Sequence, residues 1–194
     1  MHFYNSNIIS DRVFGNSFIS KLSFTLLGVI LLTASAKITV PFYPVPMSLQ
    51  TFVIYFMAAS AGMIGFSSAF LYIILGLAGL PIFVYGGGIA YIQNPTFGFL
   101  YGMVLASLFI SYAAKHFFKD NFLKILLSVF IGAVIIFACG ILHLHFILDK
   151  VIQLDGYNGI SDAVAKGLNP FVYSEILKIV LAVFFTYALL KKTK

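Results

Sequence analysis

Hydrophobic residues along this chain form continuous runs rather than an alternation of polar and apolar positions. From Ile38 to Ala114 there is no Asp, Glu, Lys, Arg or His. A soluble domain exposes charged side chains over such a length, so this stretch has lipid or other protein as its solvent. Backbone in lipid must satisfy its own hydrogen bonds, and the runs lack the ten-residue alternation of barrel strands. The pattern therefore predicts an all-α integral membrane protein.

The apolar runs predict six transmembrane helices, separated by segments rich in proline, glycine or charge. The prolines between Pro41 and Pro46 end the first helix, and Pro81 ends the third, because proline cannot continue a helix. The second and third helices are near the lower length limit for a span, which indicates a tight hairpin around Gly62 and Gly65 or a steeply set pair of helices. The predicted helices cover residues 18–36, 48–61, 66–79, 97–114, 125–147 and 169–190, with a polar loop through Asp149, Asp155 and Asp162 before the last one.

Composition agrees with one membrane domain. The chain is 61% hydrophobic and 9% charged, against about 45–50% apolar and about 25% charged in soluble domains. Residues 1–17 have scattered polar side chains and no compact apolar core before a cleavage site, so we expect no cleavable signal peptide. We expect them to be a cytoplasmic or interfacial lead, with the six-helix domain at 18–191 and a basic cytoplasmic tail at 192–194.

The distribution of basic residues predicts the orientation of the chain. With the N-terminus inside, the inner segments hold more Lys and Arg than the outer ones, which places both termini in the cytoplasm of a cell membrane. The net charge of +6 then reflects topology and attraction to anionic lipid, with no aromatic-interleaved patch for nucleic acid. The inner residues are Arg12, Lys21, Lys115, Lys119, Lys124, Lys191, Lys192 and Lys194, and the outer ones Lys37, Lys150 and Lys166.

Glu175 and Lys178 are the charged pair within a predicted span. Three residues apart on a helix, they share a face and reach each other or a common ligand. A charge at mid-bilayer costs at least about 2.5–3.5 kcal/mol on insertion scales, so such residues usually face a cavity or partner and have a function. The alternative is that the pair lies at the outer end of the helix, snorkels to the interface and neutralises itself.

Polar residues at the starts of helices are weaker candidates. Asn169, followed by Pro170, has a plain role as a helix cap, and it is also placed to contact a ligand. Gln50 and Thr51 open the second helix after Ser48, the expected cap. Capping and hydrogen bonding between helices explain them at least as well as ligand contact does.

The connection from Leu80 to Thr96 is long and uncharged, and it contains Gly86-Gly87-Gly88 and Asn94-Pro95. Irregular backbone at a membrane is covered by protein or lines a cavity. The glycines lack the spacing of a phosphate-binding loop, so their use would be to let the loop fold over a bound molecule. Several tyrosines could supply flat walls or belong to an interfacial belt. They are Tyr72, Tyr85, Tyr91, Tyr101 and Tyr173.

Motifs for catalysis, metal binding and nucleotide binding are lacking in the sequence. His143 and His145 are two residues apart and point to different sides of a helix, unlike the i,i+4 pair of a metal site. The single Cys139 excludes an intrachain disulfide. We therefore expect no enzyme activity, cofactor or metal, and expect another protein to hydrolyse nucleotide if the chain drives uptake.

Four groups of residues, in order and covering most of the chain, together resemble the BioY family, the biotin-specific S components of energy-coupling factor (ECF) transporters. The first is Ser35-Ala-Lys-Ile38 leading to Pro44-Val-Pro-Met-Ser-Leu-Gln-Thr51, and the second is Gly76-Leu-Ala-Gly-Leu-Pro-Ile-Phe83. The others are Asn94-Pro-Thr-Phe-Gly-Phe-Leu-Tyr-Gly102, and Asn169-Pro-Phe followed by Glu175-Ile-Leu-Lys178.

The resemblance implies high-affinity capture of biotin for uptake. It implies six helices around a pocket open to the outside, with the loop between helices three and four helping to cover biotin. It also implies a transmembrane coupling protein and two ATPase subunits as partners, the alternative being transport by a homo-oligomer. The residues expected to bind substrate are Gln50, Thr51, Tyr85, Gly86, Gly87, Asn94, Thr96, Tyr101, Asn169, Glu175 and Lys178.

The chain departs from the family pattern at several positions. The family usually has Asp where Glu175 stands, and often Gly-Pro-Thr-Gly-Gly-Tyr where this chain has Asn94-Pro-Thr-Phe-Gly-Phe99. Its usual Ala-x-x-x-Ala docking face on helix one is not matched here, although Gly28 and residues 33–36 include small side chains. Contacts at Glu175 and Phe97, and the docking surface, stay open.

Two hypotheses compete with biotin capture. One keeps the S-component fold with another vitamin, such as the heterocycle thiamine. The other is a small membrane enzyme that uses His143, His145 and Glu175 on a lipid, and it predicts metal dependence and turnover. If biotin is the ligand, Glu175 accepts from a ureido N–H and Lys178 donates to the ureido oxygen or to the valerate carboxylate.

Overall fold

Helices make up most of the molecule in a computed structural model, which describes residues 18–117, 121–153 and 156–192. The predicted N-terminal lead, most of the basic tail, and Arg12, Lys119, Asp155 and Lys194 lie outside the described residues. In the described part, the α helices are α1 Phe18–Lys37, α2 Gln50–Ala61, α3 Met63–Leu77, α4 Phe97–His116, α5 Phe122–Phe146, α6 Ile160–Gly167 and α7 Val172–Lys192.

Four helical segments of the described chain are long and apolar enough to cross a membrane. They are Phe18–Lys37, Phe97–His116, Phe122–Val151 and Ile160–Lys192. Helices α2 and α3 are apolar but have 12 and 15 residues, roughly 18 and 22 Å at 1.5 Å per residue, against about 30 Å of hydrocarbon. The described residues thus form an all-α fold with four helical segments suited to a membrane, and the count of six spans stays a prediction.

The start of α2 differs from its prediction. Residues Met47–Ser48 pair with Thr39–Val40 as a two-stranded antiparallel hairpin, β2 with β1, around the proline-rich turn. Strand pairing takes the backbone of Ser48 out of the helix, and α2 begins at Gln50 instead. Ser48 still serves the helix start, because the Gln50 N–H donates to Ser48 Oγ at 3.4 Å.

The predicted polar loop before the last span contains helical structure. Asp149 lies in a π-helical turn, Ile147–Val151, that continues α5, and Asp162 lies in the first turn of α6. Helix α6 buries its small residues Ala163 and Gly167, the latter beside Leu144 of α5. The charged residues of this segment indicated a loop. Ala163 and Gly167 are four residues apart, however, and give α6 a face that packs against α5.

The last membrane helix also begins later than predicted. Asn169 was expected to cap it, but residues Asn169–Phe171 form a 3-10 turn, and α7 begins at Val172. Pro170 fits this turn because its backbone nitrogen carries no hydrogen and therefore needs no hydrogen-bond acceptor. The turn positions the first residues of α7 against the bundle.

Helices α2 and α3 form the tight hairpin that the sequence predicts, but α3 spans Met63–Leu77 rather than residues 66–79, so Gly65 lies within the helix. Gly62 between them has φ of 59°, a conformation that a residue with a Cβ rarely adopts. Its carbonyl accepts a hydrogen bond from Ser111 Oγ of α4 at 2.7 Å. A Cβ on Gly65 would lie 2.6 Å from the Ala58 backbone nitrogen, so the two helices approach closely there.

Helices α4 and α5 pack antiparallel through glycines on both. A Cβ on Gly98 would collide with His143, and one on Gly140 would collide with the Phe99 ring. Gly132 lies against Ile110 in the same way. Close packing leaves little room for either helix to move, so this pair is a rigid side of the bundle. By contrast, most apolar side chains of α1 are exposed on the outside of the bundle.

Candidate functional site

A cavity opens at the end of the bundle where α1 ends and where α4 and α7 begin. It contains about 510 Å³ of atom-free space, part of which is open to the surroundings. Its lining is mostly apolar, with a few polar side chains. The lining residues are Val45, Pro46, Ser48, Gln50, Thr51, Val84, Tyr91, Thr96, Phe99, Leu100, Met103, Phe137, Phe171, Glu175 and Lys178.

One side of the cavity, which we call the charged wall, consists of Gln50, Thr51, Glu175 and Lys178. Glu175 and Lys178 are 5% and 8% exposed, with Nζ and Oε2 3.2 Å apart. Glu175 lies in the first turn of α7 and the two charges pair with each other, as the alternative reading held, but such burial excludes side chains that snorkel to a membrane interface. The pair shares one face of α7, as the spacing predicted.

Helix α2 completes the network around this ion pair. Thr51 Oγ1 donates to Glu175 Oε2 at 3.1 Å, and Tyr55 OH donates to Glu175 Oε1 at 2.6 Å. Lys178 Nζ donates to Oε2 and to Thr51 Oγ1, both at 3.2 Å. Hydrogen bonds to both carboxylate oxygens offset the cost of burying the charges.

The ion pair keeps unused capacity for a ligand. An ammonium has three donors, and in the described residues two of them are directed to Glu175 and Thr51. The carboxylate has about four acceptor positions for three donors. The charged wall can therefore donate one hydrogen bond and accept another.

Gln50 is oriented by a second network that reaches the loop after α3. Its Nε2 donates to Tyr72 OH at 2.9 Å, and Ser48 Oγ donates to its Oε1 at 3.1 Å. Tyr72 OH in turn donates to the Ile82 carbonyl at 2.9 Å. The charged wall and the loop are thus connected through buried hydrogen bonds.

The connection between α3 and α4, residues 78–96, is packed against the bundle; we call it the covering loop. The Phe83 ring is fully buried between Tyr72 and Tyr91, with centroids 5.3 and 4.6 Å away. Lys37, at the end of α1, donates from Nζ to the Phe83 carbonyl at 2.6 Å. Such contacts satisfy the requirement that irregular backbone at a membrane be covered by protein.

The opposite side of the cavity is uncharged. This uncharged wall consists of Tyr91 and Thr96 from the loop, followed by Phe99, Leu100 and Met103 of α4. Burial raises the pKa of the Tyr91 hydroxyl, although its hydrogen bond with Thr96 opposes this. The hydroxyl therefore stays protonated at neutral pH and can donate.

Residues 9–194 match the BioY family. The chain belongs to this family. A relative from Thermotoga maritima named biotin transporter BioY is 32% identical over 154 residues, which is 78% of this chain and 85% of the relative. A probable biotin transporter BioY from Lysinibacillus sphaericus is 37% identical over 134 residues, 67% and 68% of the two chains.

A solved structure has the same fold. It is the crystal structure of the S-component for biotin from an ECF-type ABC transporter, with a TM-score of 0.74 and 20% identity over 89% of this chain and 92% of that one. The family match confirms the resemblance of the sequence to the BioY family, and the structural match confirms the general fold. The relatives are named as transporters, not as enzymes.

Some of the predicted substrate-binding residues in this BioY family member line the cavity and others do not. Gln50, Thr51, Thr96, Glu175 and Lys178 line it. Several others lie away from the lining: Tyr85 is 58% exposed, Asn169 is exposed in its 3-10 turn, and Tyr101 OH donates to the Cys139 carbonyl at 3.1 Å. The rest of this second group is Gly86, Gly87 and Asn94.

Several residues of the site were missed from sequence. Tyr55 lies one helical turn after Thr51 and meets the same carboxylate, so the four-residue spacing was a usable signal. The apolar lining residues have no such signal, because every face of a membrane helix is apolar. They include Phe99, Leu100, Met103, Phe137 and Phe171.

The three side chains that an enzyme hypothesis needs have separate partners. His143 Nε2 lies 3.3 Å from the Asn94 carbonyl oxygen, and His145 Nδ1 lies 2.8 Å from Tyr157 OH. Glu175 is bound within the charged wall. Within the described residues, no group of three or more His, Cys, Asp or Glu side chains is arranged to hold a metal ion.

Proposed function

We propose that this chain captures biotin with high affinity and is the substrate-binding subunit of an ECF-type transporter. The observation that carries the proposal is the buried Glu175–Lys178 pair, which faces a largely apolar cavity and has one donor and one acceptor position unused. Membership of a family whose relatives are named biotin transporters supports biotin as the ligand.

The chemistry of the two walls suits the two halves of biotin. A polar ureido group needs both an acceptor for N–H and a donor for its oxygen, and the charged wall has both. Glu175 accepts from a ureido N–H, and Lys178 donates to the ureido oxygen or to the valerate carboxylate. The rings of Phe99 and Phe171 pack against the apolar atoms of the ligand.

Residues of the covering loop have an indirect part in this proposal. Asn94 acts through Thr96, which hydrogen-bonds with it and lines the cavity. Tyr85, Gly86 and Gly87 lie on the same loop, and their direct contact with biotin is proposed for the ligand-bound conformation. Asn169 and Tyr101 stay candidates of the same kind.

We further propose six spans with both termini in the cytoplasm. Helices α2 and α3, joined at Gly62, form the two short spans of the hairpin. Lys115, Lys124, Lys191 and Lys192 lie at the end of the bundle opposite the cavity. The positive-inside rule then directs the cavity outward, where it meets the vitamin.

Energy coupling requires partners in this proposal. The sequence contains no nucleotide-binding motif, so another protein would hydrolyse nucleotide. The resemblance to the BioY family implies that a transmembrane coupling protein with two ATPases does so and drives release of biotin inside the cell. Transport by a homo-oligomer is the alternative. Co-purification of the chain with the coupling subunits separates these two outcomes.

Equilibrium binding of labelled biotin to the detergent-purified chain tests the proposal. Unlabelled biotin, thiamine and riboflavin serve as competitors. Saturable binding that only biotin displaces supports the proposal without any partner. Displacement by thiamine instead would assign the fold to another vitamin, and the absence of binding by folded protein would contradict capture of biotin.

A further inference from the structure

We propose that His143 of α5 is a positioning residue for the cavity, acting through the covering loop. It holds the peptide carbonyl of Asn94 and thereby sets the positions of Thr96 and Tyr91 in the uncharged wall. The inference rests on the proposed binding of biotin. His143 itself does not line the cavity.

The hydrogen bond of His143 has a defined direction. Its Nε2 lies 3.3 Å from the Asn94 carbonyl oxygen, and a carbonyl only accepts, so Nε2 carries a proton and donates. The Asn94 side chain is bound on its other side, because Oδ1 accepts from Thr96 N–H at 3.0 Å and from Thr96 Oγ1 at 2.8 Å. Asn94 therefore connects α5 to Thr96, the residue immediately before α4.

The connection continues into the cavity. Thr96 Oγ1 uses its only hydrogen for Asn94, so Tyr91 OH is the donor in the 3.0 Å bond between Tyr91 and Thr96. Thr96 and Tyr91 are each 6% exposed and both line the cavity. A continuous series of hydrogen bonds thus extends from His143 to two residues of the uncharged wall.

The position of His143 is itself fixed by packing. Gly98 has no Cβ, and any Cβ there would collide with the Cβ of His143. The imidazole packs edge to face with Phe97 and Tyr101, both with centroids 5.9 Å away. The donor is therefore preorganised, and it forms its hydrogen bond without ordering a mobile side chain.

The covering loop consequently has an anchor near each end. Lys37 binds the Phe83 carbonyl near its start, and His143 binds the Asn94 carbonyl near its end. Between them the loop is more exposed, with Ile89 at 69%. Loss of the second anchor would give Thr96 and Tyr91 more freedom, which has to be removed again when ligand binds.

Three variants of the full chain separate positioning from packing. His143→Met removes the donor with similar bulk, His143→Gln keeps an N–H that reaches the carbonyl, and His145→Met changes the neighbouring histidine, which contacts Tyr157 instead. The readouts are the Kd of labelled biotin and its dissociation rate after a chase with unlabelled biotin. Thermal unfolding in detergent checks that each variant is folded.

We expect His143→Met to raise Kd about three- to tenfold, mainly through faster dissociation, the effect of roughly one hydrogen bond. His143→Gln should stay within about twofold of wild type, and His145→Met should not change binding. Equal loss in the Met and Gln variants would overturn the proposal in favour of a packing role, and so would unchanged binding in His143→Met.

Asn94→Ala provides a second route if His143→Met does not fold. This substitution removes the hydrogen bonds between Asn94 and Thr96, so Kd should rise by a similar factor. The double variant, with both His143→Met and Asn94→Ala, should bind only slightly more weakly than either single variant. Unchanged binding in Asn94→Ala, or independent effects that multiply, would overturn the proposal. Failure of the folded wild type to bind biotin would instead contradict the proposed function.

Discussion

The two walls of the cavity satisfy their polar groups in different ways. The charged wall comes from α2 and α7, and its two charges are paired with each other before a ligand arrives. The uncharged wall comes from a loop and the start of α4, and its hydroxyls depend on residues behind the cavity, including Asn94. Helices therefore hold the charges in place, whereas contacts of the covering loop set the shape of the cavity around them.

The largest expected effect is on the charged wall. Lys178→Met removes the donor to the ligand and leaves Glu175 buried without its counter-ion. We expect biotin binding to weaken by at least roughly 30-fold, because truncating one partner of a buried charge pair costs about 2–5 kcal/mol. The measurement is equilibrium binding of labelled biotin. Lys166→Met, on α6 outside the cavity lining, is the matched control, and binding retained in Lys178→Met would place the site elsewhere.

A second variant tests how far the charged wall depends on its support from α2. Tyr55→Phe removes the hydroxyl that donates to Glu175 Oε1 at 2.6 Å. We expect a loss of about 1–3 kcal/mol in the free energy of unfolding, together with roughly tenfold weaker binding. Thermal or denaturant unfolding in detergent measures the first effect. Tyr187→Phe, a half-buried tyrosine that packs on Phe122, should change neither quantity.

The uncharged wall can be disturbed without altering a charge. A valine side chain at position 140 would displace the Phe99 ring toward the cavity, because even a Cβ at Gly140 collides with that ring. Gly140→Val should weaken binding about five- to tenfold, because moderate overpacking costs about 1 kcal/mol or slightly more. The measurement is equilibrium binding of labelled biotin. Ala138→Val is the control, because Ala138 lies on the exposed side of α5. Equal effects of the two variants would contradict a specific effect on the Phe99 ring.

The smallest expected effect concerns pH. Burial raises the pKa of Tyr91 from 10.0, so its hydroxyl should stay a donor and binding should be level between about pH 6 and pH 9. A raised pKa in the folded state contributes stability that is fully present below the unfolded pKa and is lost as pH rises through the folded one.

Binding titrations from neutral to alkaline pH test the level binding, and unfolding measured over the same range tests this sign, each with Tyr91→Phe as the comparison. We expect the wild type to lose an advantage over the variant above about pH 10. A Tyr91-dependent change below about pH 9 would contradict the protonated state assigned to this hydroxyl.

The sequence by itself determined the fold class, most helix positions and the central ion pair. Long uncharged runs require lipid around them whatever the tertiary structure is. The free-energy cost of a charge in a membrane segment likewise depends on that segment alone. The amino-acid sequence is therefore sufficient to identify Glu175 and Lys178. Helix α4, predicted at 97–114, needed an extension of two residues.

Only the tertiary structure decided which other residues meet this pair and which wall each one joins. Tyr55 and Glu175 are 120 positions apart and in contact, and no local pattern encodes such a distance. Asn94 and Thr96 looked alike in sequence, yet packing directs Thr96 into the cavity and Asn94 behind it. In a membrane protein the apolar positions cover every face of a helix, so hydropathy does not show which face lines a site; close packing between helices does.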